Sequence, residues 1–144
     1  MIDRERILGK IDELDMYLGE LKEVLPSSYK QYQAVEKKRS CERLLQLCIE
    51  TVLDVCRLFV SGLKLGLPSE ENGIFDKLFK KRIISSGMMQ TLAEMKGFRN
   101  VLIHEYARVD DELVYEMAAT RLVDFVDFKK EILRALKKNA KSIE

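Results

Sequence analysis

Isoleucine and leucine occupy positions 7, 11, 14, 18, 21 and 25, in alternating steps of four and three. A helix turns once every 3.6 residues, so these steps return to one side and predict an amphipathic helix. Pro26 ends it, and Ser28 with Gln31 offers a capping box for the next helix. That second helix is expected from about Tyr29 to Leu65, where Gly66, Leu67 and Pro68 halt it. Its C-terminal half is densely apolar, yet a polar stripe persists through Arg39, Arg43, Gln46, Glu50, Asp54, Arg57 and Ser61. Most of this stripe reads as a solvated face. Glu50 and Asp54 stand apart, because they lie in the most apolar part of the chain and acids four residues apart repel unless cations compensate.

A short helix near Ile74–Lys81 follows. A fourth begins around Ser86–Met88 and carries Met88, Leu92, Met95, Val101 and Leu102 inward. Asp110, Asp111 and Glu112 are suited to cap and charge the start of a fifth helix, expected to run to about Lys138. No alternating strand pattern, internal repeat or linker breaks the series. The expected fold is all-α: an up-and-down bundle of four main helices plus a short helix, with residues 1–144 forming one domain.

Composition narrows the picture. A chain of 144 residues is long enough to bury a real core, and 47% apolar with 34% charged residues is a soluble balance. No apolar run approaches the length a bilayer requires, and the opening MIDRERILGK is too charged for a secretory signal, so a cytoplasmic protein is expected. Cys41, Cys48 and Cys56 stack along one side of a helix, form no CxxC pair and have a single histidine for company. They read as buried thiols rather than metal ligands, and no metal or cofactor is expected. A net charge of +1 gives no global basic field for nucleic acid. The clusters Lys80, Lys81, Arg82 and Lys137, Lys138, Lys141 read as cations complementing helix C-termini.

The chemistry gathers between residues 99 and 116, RNVLIHEYARVDDELVYE, which hold the chain's only histidine. On a helix, Asn100 and His104 are neighbours four apart, while Arg99 and Tyr106 are seven apart and nearly aligned. Asn100 is placed to hydrogen-bond one imidazole nitrogen and so select the outward tautomer. Such a set suits RNA cleavage without a metal. Histidine, with a free pKa near 6.5, accepts the 2′-hydroxyl proton as that oxygen attacks phosphorus, and arginine steadies the charge gathering on the phosphate. The leaving 5′-oxygen needs a proton of its own, so the chemistry favours a twofold dimer that brings a second histidine. On spacing alone the plainer reading is favoured: a histidine serving the helix dipole, a surface arginine and a core tyrosine.

Arg99-Asn100-x-x-x-His104-x-Tyr106 resembles the R-x4-H-x-Y signature of the HepT-like branch of HEPN domains. The following ARVDDELVYE (107–116), the ERLLQLCIETVLDV stretch (42–55), the length and the helix order are similar too. The resemblance implies a ribonuclease toxin of a type VII toxin–antitoxin pair, working as a homodimer on RNA. Its partner would be an MntA-like minimal nucleotidyltransferase that silences it by moving AMP onto the motif tyrosine. Carried over, Arg99 and His104 would be catalytic, Asn100 supportive and Tyr106 the modified residue. In that setting Glu50 or Asp54 is expected to reach the Arg99–His104 cluster and orient it. The rival function is a non-catalytic helical module that associates with a nucleotidyltransferase; a purely structural dimer and a cysteine hydrolase stand further back.

Overall fold

The computed structural model describes residues 1–66, 71–104 and 109–139. Within them the chain forms α1 (Arg4–Val24), α2 (Tyr29–Tyr32), α3 (Val35–Gly62), α4 (Glu71–Lys80), α5 (Ser86–His104), α6 (Asp111–Thr120) and α7 (Val123–Lys138). The fold is all-α, and α1, α3, α5 and the α6–α7 pair make up the four long members of the bundle. No described helix is both long and apolar enough to cross a membrane.

α1 buries Ile7, Ile11, Leu14, Leu18 and Leu21, the seam read from the sequence. Each such aliphatic side chain contributes roughly 1.5–3 kcal/mol on leaving water. The Asp3 carboxylate accepts from the Arg6 backbone N–H and satisfies one of the unpaired amides at the start of the helix. α3 is the axis of the molecule. It touches α1, α2, α4, α5, α6 and α7, and it buries eleven residues from Cys41 to Val60. A helix with neighbours on nearly every side must be apolar nearly all round, which accounts for the dense C-terminal half. All three cysteines are free thiols in this core.

Two expected helices prove to be broken. The second is interrupted at Gln33 and Ala34, where the Ala34 ψ of 130° leaves the helical region. No proline or glycine marks the break. Its cause is tertiary: Tyr32 is wholly buried and meets Tyr115 of α6 with ring centroids 5.3 Å apart, which holds the short α2 against α6 rather than in line with α3. The last helix is interrupted at Arg121 and Leu122. Thr120 turns its hydroxyl back onto the Glu116 carbonyl at 2.7 Å, a bond that bends or ends a helix, and Arg121 turns out to pair with Asp124 and Glu94.

The capping signals resolve individually. Ser28 accepts from the Gln31 N–H at 3.2 Å, the serine half of the box, but the Gln31 side chain accepts from Ser27 Oγ instead of closing the reciprocal bond. Asp110 accepts from the N–H groups of Glu112 and Leu113 and caps α6 as its acidity suggested.

Candidate functional site at the C-terminal end of α5

α5 is locked at its N-terminal end, where Ser85 Oγ accepts from the Met88 N–H. The Glu131 carboxylate from α7 accepts from both the Ser85 N–H and its hydroxyl, at 2.7 and 3.0 Å. Met88, Leu92, Met95 and Leu102 face the core and fix the helix's rotation. That rotation decides the setting of the motif. Arg99 precedes Leu102 by three residues and lies about 60° from its direction, so its side chain is drawn inward and is 12% exposed. His104 follows Leu102 by two residues, about 200° away, and is exposed at the last helical position. Tyr106 lies outside the described residues.

Among the described residues, two partners hold the Arg99 guanidinium. Its Nε donates to Asn100 Oδ1 at 3.0 Å, and its Nη2 donates to Glu71 Oε1 at 2.5 Å. Glu71 is the first residue of α4 and lies 28 positions upstream. Its other oxygen, Oε2, accepts from Arg57 Nη2, also at 2.5 Å. Arg57 Nη1 in turn donates to Asp54 Oδ1 at 3.2 Å, and Asp54 Oδ2 takes the Lys10 ammonium at 3.3 Å. Hydrogen bonds to Glu13 first, and then to Asp54, raise the pKa of Lys10 above its ordinary value. A chain of alternating charges thus runs from α1 through α3 and α4 to Arg99.

Two expectations from the sequence meet a different arrangement: that Asn100 would bond His104, and that Glu50 or Asp54 would reach the cluster. Asn100 accepts from the guanidinium of Arg99, and among the described residues its side chain makes no hydrogen bond to His104. Asp54 does not touch Arg99 directly and reaches it only through Arg57 and Glu71. Glu50 accepts from Gln46 Nε2 at 3.1 Å within its own helix and stays on the polar stripe. The carboxylate on Arg99 is Glu71, which sequence reasoning missed. An acid opening a helix reads as a dipole partner, and nothing in its spacing points to an arginine on another element. Among the described residues, no three histidine, cysteine, aspartate or glutamate side chains converge where a metal ion would sit.

Comparison with known proteins bears on this arrangement. The chain is 24% identical over 122 residues to the mRNA nuclease HepT of Shewanella oneidensis, covering 85% of this chain and 92% of that one. It is 27% identical over 124 residues to the tRNA nuclease HepT of Aphanizomenon flos-aquae, covering 85% and 84%. Its fold matches that of the tri-AMPylated Shewanella oneidensis HEPN toxin, solved in complex with an MNT antitoxin. The TM-score is 0.82 at 23% identity, over 89% of this chain and 96% of that one. The family model for HepT-like ribonucleases matches residues 14–132, from the middle of α1 to the middle of α7. That span takes in Asp54, Arg57, Glu71, Arg99, Asn100 and His104, and the chain belongs to the HepT-like ribonuclease family.

Proposed function

We propose that this chain is an RNA-cleaving toxin of a toxin–antitoxin pair, with Arg99 and His104 as its catalytic residues. The observation that carries the reading is the contrast at the end of α5: a guanidinium fixed by Asn100 and Glu71, and an imidazole exposed one turn later. Fixed donors suit a phosphate whose charge grows during reaction, and an exposed imidazole suits a group that must take up a proton.

In this scheme His104 accepts the proton of an RNA 2′-hydroxyl while that oxygen attacks the adjacent phosphorus. The bond from phosphorus to the 5′-oxygen breaks, leaving a 2′,3′-cyclic phosphate on one fragment and a 5′-hydroxyl on the other. Arg99 steadies the phosphoryl oxygens, so no metal is required. Five residues of helix place Arg99 and His104 about 140° apart around α5, which makes it hard for one chain to present both to a single phosphate. A second copy, bringing its own end of α5 to the same cleft, completes the acid–base pair, and we assign the active form as a homodimer.

Inactivation follows by AMP transfer to Tyr106 from an MntA-like nucleotidyltransferase, a reading supported by the tri-AMPylated Shewanella toxin in complex with its MNT antitoxin. An AMP group, two residues on from His104 in the sequence, adds bulk and negative charge that competes with an RNA phosphate for the arginine.

The test is to purify the chain expressed with and without a nucleotidyltransferase antitoxin and incubate each preparation with total RNA in a chelating buffer. Free chain should cut and leave cyclic phosphate ends, and the co-expressed chain should carry AMP on Tyr106 and not cut. Absence of cutting by the unmodified chain would favour the non-catalytic binding module.

A further inference from the structure

We propose that Glu71 is a positioning residue for Arg99, its carboxylate setting the guanidinium at one arm of a two-arginine clamp. The proposal rests on the nuclease reading above. Each carboxylate oxygen serves one arginine: Oε1 takes Arg99 Nη2 and Oε2 takes Arg57 Nη2, both at 2.5 Å. The carboxylate is carried on a firm support. α4 buries Ile74, Phe75 and Leu78 and packs against both α3 and α5, the helices that bear the two arginines. Arg57 is anchored from behind by Asp54, itself paired with Lys10.

An unheld arginine samples many rotamers, and much of the benefit of a fixed cation is lost if it must be ordered during each reaction. Asn100 holds the guanidinium at Nε and Glu71 holds it at Nη2. Among the described residues these contacts use two of its five N–H donors, which leaves three for a phosphate. Removing the carboxylate does more than free a hydrogen bond. Two guanidinium groups that share one anion would face each other as like charges, and Arg99 would swing away from Arg57. Glutamine at this position offers one acceptor oxygen, while its amide N–H groups oppose the second arginine, so it restores the arrangement in part.

The experiment measures single-turnover cleavage of an RNA oligonucleotide across protein concentration, for the full chain and its Glu71→Ala and Glu71→Gln variants. It is paired with the NMR signal of the Arg99 Nε–H, assigned by its loss in Arg99→Ala. A positioning role predicts a maximal rate about 10- to 100-fold lower in Glu71→Ala with little change in half-saturation, and an intermediate rate in Glu71→Gln. The Arg99 signal, sharp in the parent, should broaden in both. If Glu71→Ala fails to fold, Glu71→Gln carries the same two readouts. Parent-like rate with a parent-like Arg99 signal would overturn the proposal, as would a loss confined to half-saturation with the signal unchanged. Failure of the nuclease reading looks different: the parent chain itself would not cut, while the Arg99 signal would still report whether Glu71 holds the side chain.

Discussion

Tyr32 and Tyr115 meet with ring centroids 5.3 Å apart, yet their hydroxyls have opposite fates. Tyr115 Oη donates to the Pro26 carbonyl at 3.2 Å, and the Tyr32 hydroxyl is buried with no hydrogen-bond partner among the described residues. Phenylalanine should therefore act differently at the two positions. Tyr115→Phe loses a net hydrogen bond and strands a carbonyl, costing about 1 kcal/mol. Tyr32→Phe removes an unpaired buried polar group and should be neutral or stabilising. Urea unfolding of the two variants decides this, and equal losses would contradict the geometry.

The same tyrosines show where the sequence stops being informative. The α1 seam, the acidic cap at Asp110 and the apolar length of α3 are local, and periodicity or residue chemistry exposes them directly. The break between α2 and α3 is made by a ring from α6 some eighty residues away, so no local signal announces it. The candidate site divides likewise. Arg99, Asn100 and His104 share one helix and stand out by spacing, whereas Glu71 joins them only once α4 folds against α5. Glu50 and Asp54 were singled out for their apolar setting, but burial of neighbouring residues does not say which partner an acid faces.

Gly62 has a backbone directly over it. A Cβ built there would stand 2.8 Å from Ile2 Cα and 2.9 Å from the Met1 carbonyl oxygen, where the Met1 ammonium also donates to the Gly62 carbonyl at 2.7 Å. Those are main-chain atoms, so the N-terminal segment must lift to make room. Gly62→Ala should destabilise by about 1–3 kcal/mol. Gly9 and Gly19 in α1 have open space around them, and alanine at either should stabilise by up to about 1 kcal/mol. Thermal unfolding of the three variants separates steric crowding from helix propensity.

Burial pushes the Cys48 and Cys56 thiols from 9.0 up to about 12, assisted at Cys48 by Glu20 and opposed at Cys56 by Arg57. Thiols of the unfolded chain ionise first. Between the two values the unfolded state sheds protons that the folded state keeps, so this contribution is full below about pH 9 and falls as the pH climbs toward about 12. The urea midpoint should drop across that window, and drop less in a Cys48→Ala, Cys56→Ala double variant after correction for its lower starting stability. At neutral pH both thiols should resist a water-soluble disulfide reagent until denaturant is added. Rapid native labelling of either would contradict the placement of α3 in the core.

In the proposed mechanism His104 takes the proton and Arg99 steadies the phosphate. Its most direct measurement is the single-turnover rate of RNA cleavage, in excess chelator, by the parent chain, His104→Ala and Arg99→Ala, each checked for parent-like folding by circular dichroism. The parent should cut to a cyclic phosphate, and each variant should be slower by at least about 100-fold, the usual contribution of a positioned acid–base group or a fixed charge donor. A folded His104→Ala chain that cuts at the parent rate would contradict it.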